Sequence, residues 1–157
     1  MVVQIVLGSK SDLEIAKKAT SVLKKLGIEY KVNIASAHRT PEIVEKLSRN
    51  DDIKVFIAIA GLAAALPGML AAHTTKPVIG VPVSGKVCLD AILSMVQMPK
   101  GVPVATVGLD SGENAAILAA ELLAMSDKKV RKALEKYRKE LRESVEKDDE
   151  ELTKADV

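Results

Sequence analysis

Tyr30-Lys31-Val32-Asn33-Ile34-Ala35-Ser36-Ala37-His38-Arg39-Thr40-Pro41-Glu42-Ile43-Val44-Glu45-Lys46-Leu47 is the stretch that decides the fold. Tyr30 to Ala35 alternates apolar and polar residues, the pattern of a strand. Pro41 to Leu47 has helical spacing, with Thr40 as its expected N-cap and Pro41 at the first helical position. A strand that hands over to a helix through a short polar loop is the building unit of an α/β fold. The loop sets a hydroxyl, an imidazole and a guanidinium (Ser36, His38 and Arg39) at a strand's C-terminal end, where open parallel sheets bind ligands. His38 is one of two histidines in the chain, and histidine is the side chain that exchanges protons near neutral pH.

The same β-loop-α reading extends in both directions. Val2 to Leu7 is an apolar run with no polar face, as expected of a strand covered on both sides. Gly8-Ser9-Lys10-Ser11-Asp12 breaks it, and a helix follows with Ile15, Ala16, Ala19, Val22, Leu23 and Leu26 on one face. Ser11 and Glu14 have capping-box spacing, and Gly27 is placed to end that helix. Ile53 to Ala60 is a third strand, followed by Gly61-Leu62-Ala63-Ala64-Ala65 and a helix that tolerates Pro67 near its first turn. Pro77 to Val83 is a fourth strand, with the turn Ser84-Gly85-Lys86 and a short helix from Asp90 to Val96 after it. Val102 to Val107 is a fifth, and Pro103 points to an edge position. Gly112 to Met125 is an Ala- and Leu-rich helix. The expected fold is a doubly wound α/β sandwich over residues 1–126.

Residues 127–157 form a helical extension rather than a separate domain. Acidic and basic residues are equal in number there, and Val130, Leu134, Tyr137, Leu141 and Val145 make one apolar stripe. The end from Asp148 is expected to fray.

Composition narrows the function. A chain of 157 residues is one domain by length and buries roughly 70% of its unfolded surface. A net charge of +2 demands no acidic partner, and three aromatic residues leave little to stack on nucleic-acid bases. No apolar run approaches the ~20 residues of a membrane span. One cysteine, Cys88, excludes an internal disulfide framework and fits a reducing compartment; the apolar start lacks a basic leader, so a cytoplasmic protein is expected. No Cys/His spacing suggests a metal site.

Function must therefore come from the loops after the strands. The first offers backbone donors at a helix N-terminus with the hydroxyls of Ser9 and Ser11, a setting that attracts phosphate. Asp12 can accept from sugar hydroxyls, and Arg39 can grip phosphate oxygens bidentately. The third loop has no polar side chain, so Gly61, Leu62 and Ala63 can line a small dry pocket with backbone N–H groups as donors. Each residue has a plainer reading. Ser9, Ser11 and Asp12 can serve only as helix caps, Arg39 can pair with Glu42, and His38 can simply hydrogen-bond its loop. His73 reads as a partner for a helix C-terminus, and Cys88 lacks the basic surroundings of a nucleophile.

Gly8-Ser9-Lys10-Ser11-Asp12, Ser36-Ala37-His38-Arg39-Thr40-Pro41, Leu66-Pro67-Gly68-Met69, Pro77 to Val83, and Val96-Gln97-Met98-Pro99 with Gly101 to Thr106 occur in this order. Together they resemble the purine-biosynthesis family of N5-carboxyaminoimidazole ribonucleotide mutase, also called the catalytic subunit of phosphoribosylaminoimidazole carboxylase. The resemblance implies a three-layer, flavodoxin-like five-stranded parallel sheet and a homo-octamer. It implies a carboxyl shift on an aminoimidazole ribonucleotide through trapped CO2, with no metal or organic cofactor. By motif, Ser9, Asp12 and Arg39 would bind the ribose phosphate, with Ser11 and Ser36 beside them, and His38 would move the proton. The mutase branch of the family carries a histidine in the third loop where this chain has Ala65. The branch that carboxylates aminoimidazole ribonucleotide directly with CO2 also lacks that histidine, and remains the alternative. The turn from Ser84 to Leu89 is also shorter than the family's usual one. A nucleotide-phosphate binder without activity and an unrelated flavodoxin-like binder are the readings from other classes.

Overall fold

The computed structural model describes residues 2–154. Strand β1 (Val2–Leu7) leads through a 3-10 turn (Lys10–Asp12) into α1 (Leu13–Lys25). Then follow β2 (Glu29–Ile34), α2 (Pro41–Ser48), β3 (Ile53–Ala60), α3 (Leu66–Ala72), β4 (Val78–Pro82) and α4 (Cys88–Val96). The chain closes with β5 (Ala105–Thr106), α5 (Gly112–Ala124) and α6 (Lys128–Lys154). All strand pairs are parallel, in the order β2-β1-β3-β4-β5, which is the flavodoxin-like order. Leu7 stands level with Ile34 on one side and with Ile59 on the other, so β1, β2 and β3 end together.

The sheet separates two apolar cores. On one face Ile15, Ala19 and Leu23 of α1 and Ala115, Ala116 and Ala119 of α5 cover Val3, Ile5, Leu7, Ile57 and Ile59. On the other, Val44 of α2, Leu66 and Leu70 of α3, and Ala91 and Met95 of α4 cover Val6, Phe56 and Ala58. Full burial of an aliphatic or aromatic side chain contributes about 1.5–3 kcal/mol, so the continuous apolar strands β1 and β3 anchor the molecule. Buried among them is Gln4, whose amide donates to Lys31 O at 3.3 Å and to Asn33 Oδ1 at 3.1 Å, tying β1 to β2. The alternating residues of β2 (Tyr30, Val32 and Ile34) stay 37–53% exposed, because β2 is the sheet edge.

Helix ends depart from the sequence-based expectation in three places. The cap of the first helical segment is Ser9 rather than Ser11: Ser9 Oγ accepts from Ser11 N–H at 3.4 Å and Asp12 Oδ2 accepts from Ser9 N–H at 3.0 Å. The capping box closes on the 3-10 turn, so Glu14 is left to pair with Lys17 at 2.6 Å. Thr40 occupies the N-cap position of α2, but its hydroxyl turns back to Ser36, accepting from its N–H at 2.9 Å. α4 begins at Cys88, ahead of Asp90. The fifth strand shrinks to Ala105–Thr106, since Pro103 has no N–H to donate and Gly101 sits at φ +99°. It is the other sheet edge, as Pro103 indicated.

α6 packs on α5 through Val130 and Leu134, both 8% exposed, and reaches α1 where Lys25 meets Glu140 at 2.8 Å and lies over the Tyr137 ring. Helix continues through 148–154, against the expected fraying; that expectation for 155–157 lies outside the described residues.

Gly112 fixes the spacing of α1 and α5. A Cβ there would overlap Ile15 O and lie 3.2 Å from Ala19 N, both backbone atoms of α1. Gly112→Ala must push the helices apart and should cost about 1–3 kcal/mol, read as a lowered urea midpoint with an unchanged m-value.

Candidate active site

The loops following β1, β2, β3 and β4 enclose a cavity of about 760 Å³ at the strands' C-terminal edge. Ser9, Ser11 and Asp12 line it from the β1 loop, and His38 and Arg39 from the β2 loop. Gly61 to Leu66 line it after β3, and Ser84 to Val87 after β4. The sheet itself builds this convergence. Gly8 N–H donates to Ile59 O at 2.9 Å, Ala35 N–H to Leu7 O at 2.9 Å, and Val83 N–H to Ala60 O at 3.0 Å. Ladder bonding thus runs one residue past each strand before the loops part.

Arg39 is held toward the first loop and not toward Glu42. Its Nη2 donates to Gly8 O at 3.2 Å and its Nε to Ser36 Oγ at 3.2 Å. Ser36 therefore orients Arg39 and does not itself line the cavity. The guanidinium remains exposed and, among the described residues, has no carboxylate partner. Its remaining N–H groups are available to an anion. His38 sits on the adjoining turn, exposed toward the cavity.

Asp12 is 5% exposed, with Oδ2 on Ser9 N–H and Oδ1 accepting from Ser11 Oγ–H at 3.0 Å. Burial pushes its carboxyl above the usual 3.8, while the Ser11 and Ser9 hydrogen bonds oppose the shift. It knots the first loop into shape and still borders the cavity.

The third loop turns tightly, with Ala64 N–H donating to Gly61 O at 3.1 Å and Leu62 at φ +54°, in the left-handed region. That turn throws Leu62 outward to 85% exposure while Ala64 is buried. Ala64 and Ala65 give the cavity its apolar wall, and Leu62 only its rim. The Ser84-Gly85-Lys86 turn carries no functional motif in the sequence. It enters the site because Asp110 reaches across: Asp110 Oδ1 accepts from Ser84 N–H at 2.8 Å, with Asp110 at φ +55°. No short motif marks this contact, which spans 26 residues. His73 caps the C-terminus of α3 at the opposite end of the sheet, away from the cavity.

Residues 2–144 match the family model described as AIR carboxylase. The chain is 58% identical over 149 residues to the N5-carboxyaminoimidazole ribonucleotide mutase of Methanocaldococcus jannaschii, covering 94% of this chain and 95% of that protein. It is 48% identical over 145 residues to the protein of the same name from Pyrococcus abyssi, covering 89% and 83%. Among solved structures, that of Treponema denticola PurE superposes with a TM-score of 0.86 at 33% identity, covering 96% of this chain and 98% of that one.

The raised Asp12 pKa has a signed consequence. The folded protein holds this proton more tightly than the unfolded chain, so the stabilising contribution is complete below about 3.8 and falls as pH rises through the folded value. The stability advantage of wild type over Asp12→Asn should therefore shrink as pH rises from about 3.8, measured as urea midpoints.

Proposed function

The chain belongs to the AIR carboxylase family, and from that membership we propose that it converts N5-carboxyaminoimidazole ribonucleotide to 4-carboxy-5-aminoimidazole ribonucleotide in purine biosynthesis. The observation that carries the reading is the single cavity in which His38 and Arg39 border the wall of Gly61 to Ala65. Arg39, with Ser9, Ser11 and Asp12 around the first loop, takes the ribose phosphate. The alanine-lined third loop suits CO2, a small neutral molecule that a dry wall retains and water would consume.

The reaction is an isomerisation, and its proton count explains how one imidazole suffices. The N–carboxyl bond breaks, CO2 departs, and the exocyclic nitrogen takes up a proton. C4 then attacks the CO2 carbon, and the C4–H bond gives its proton up. One proton is delivered and one collected, so His38 can donate in the first step and accept in the second. Ala65 lines the cavity without any titratable group, which leaves His38 as its imidazole. That alanine is also the observation favouring the second reading, direct carboxylation of aminoimidazole ribonucleotide by CO2, where His38 need only remove the C4 proton.

The reading includes a cytoplasmic homo-oligomer, an octamer by resemblance. Exposed apolar residues on β2 (Tyr30, Val32, Ile34) and on α4 (Leu89, Leu93, Val96) support association. Among the described residues, no helix is long and apolar enough to cross a membrane.

Purified protein given N5-carboxyaminoimidazole ribonucleotide should turn over faster than with aminoimidazole ribonucleotide plus bicarbonate. The reverse ranking would favour the direct carboxylase, and turnover of neither would sink both. His38→Asn should lower kcat by about 10²–10⁴ while phosphate affinity holds within error. Light scattering should return several times the monomer mass.

A further inference from the structure

The cavity carries a second cation, on the loop opposite Arg39, that the family reading leaves unused. Lys86 lines the cavity from the turn after β4. Among the described residues it forms no ion pair with any carboxylate. Sheet order fixes where it stands. Arg39 follows β2 and Lys86 follows β4, with β1 and β3 between them. Neighbouring strands lie about 4.8 Å apart, so the two loops leave the sheet about 14 Å apart. Both residues line the one cavity across that gap.

The substrate of the proposed reaction is itself anionic at both ends, with a phosphate at one and a carboxylate on the heterocycle at the other. The acid that borders the cavity, Asp12, lies on the β1 loop beside Arg39, two strand spacings from the loop that carries Lys86. Asp110, which touches the Lys86 turn, and Asp90, on the first turn of α4, both lie outside the cavity lining, and Asp110 has Oδ1 committed to Ser84 N–H. That tether, from a residue held in the left-handed region, fixes the base of the turn and so the origin of the Lys86 side chain. Between the two cations lies the alanine wall, with no charged side chain of its own.

We propose that Lys86 recognises the carboxylate of the nucleotide, while Arg39 takes the phosphate, so that the site measures its ligand between two cations. This rests on the functional reading above and deepens it. Lys86 is then a specificity residue that separates carboxylated from decarboxylated nucleotide, and holds the carboxyl over the apolar wall before and after transfer.

Binding of 4-carboxy-5-aminoimidazole ribonucleotide and of aminoimidazole ribonucleotide, measured by calorimetry on the full chain, tests it. Lys86→Met should weaken the carboxylated nucleotide by about tenfold or more, since a hydrogen bond to a charged group is lost, and leave the decarboxylated one within about twofold. Lys86→Arg should keep most of the affinity for the carboxylated nucleotide. Equal weakening of both nucleotides would move Lys86 to the phosphate and overturn the assignment, as would unchanged binding of both. Wild-type protein that binds neither nucleotide would overturn the functional reading and this assignment with it.

Discussion

A parallel sheet buried on both faces can do chemistry only at its ends, and the rest of this molecule follows from that constraint. β1 and β3 have almost no exposed side chain, so neither face of the sheet is open to a ligand. The chain runs outward from β1 to β2 and then returns past β1 to β3, so the β1 and β3 loops turn to opposite sides and open a crevice. Residues of very different character meet there because the backbone ladder leaves them no other exit. The phosphate-type loop, the Arg39 loop and the alanine wall are neighbours in space through strand order, not through sequence.

The fold was legible in the sequence because it depends on period and punctuation. Every strand and helix core was visible as an apolar run between glycines, prolines and polar clusters, and Pro103 marked an edge strand. What could not be read were contacts between distant loops. Ser11 and Glu14 have the spacing of a capping box, but Asp12 competes from two residues earlier and wins because its carboxyl group also holds Ser11. Sequence spacing does not show that Ser36 Oγ accepts from Arg39 Nε at 3.2 Å. The Asp110–Ser84 contact joins two loops that sequence spacing cannot relate.

The third loop shows how an apolar segment divides its labour. A backbone with φ at +54° costs roughly 1 kcal/mol or more for a residue with a Cβ. The strain is kept where the chain must reverse direction between β3 and α3 while leaving amide groups beside the cavity. Ala64 packs inward and Leu62 is sent out, so one turn supplies both a wall and a rim. With Ala65 contributing no imidazole, the cavity's imidazole stands on the β2 loop, whose geometry is set by the Ser36 and Thr40 hydroxyls.

α6 answers its dipole at one end only. Asp127 Oδ1 accepts from Lys129 N–H at 2.8 Å and from Val130 N–H at 3.3 Å, whereas Asp148, Asp149, Glu150 and Glu151 crowd toward the other end. Each such placement costs about 0.3–1 kcal/mol where it is exposed. Among the described residues, four of its five i,i+4 pairs, such as Lys139–Glu143 and Arg142–Glu146, run in the weaker order, with the base first. Packing on α5 holds Val130 and Leu134, but Val145 and Leu152 are 68% and 59% exposed. The amides of the last turns should thus exchange with solvent deuterium at rates set by local opening, independent of the global unfolding that governs β1 and β3. Energetically the chain is two regions sharing one helix, and the cavity lies with the sheet and not with those last turns.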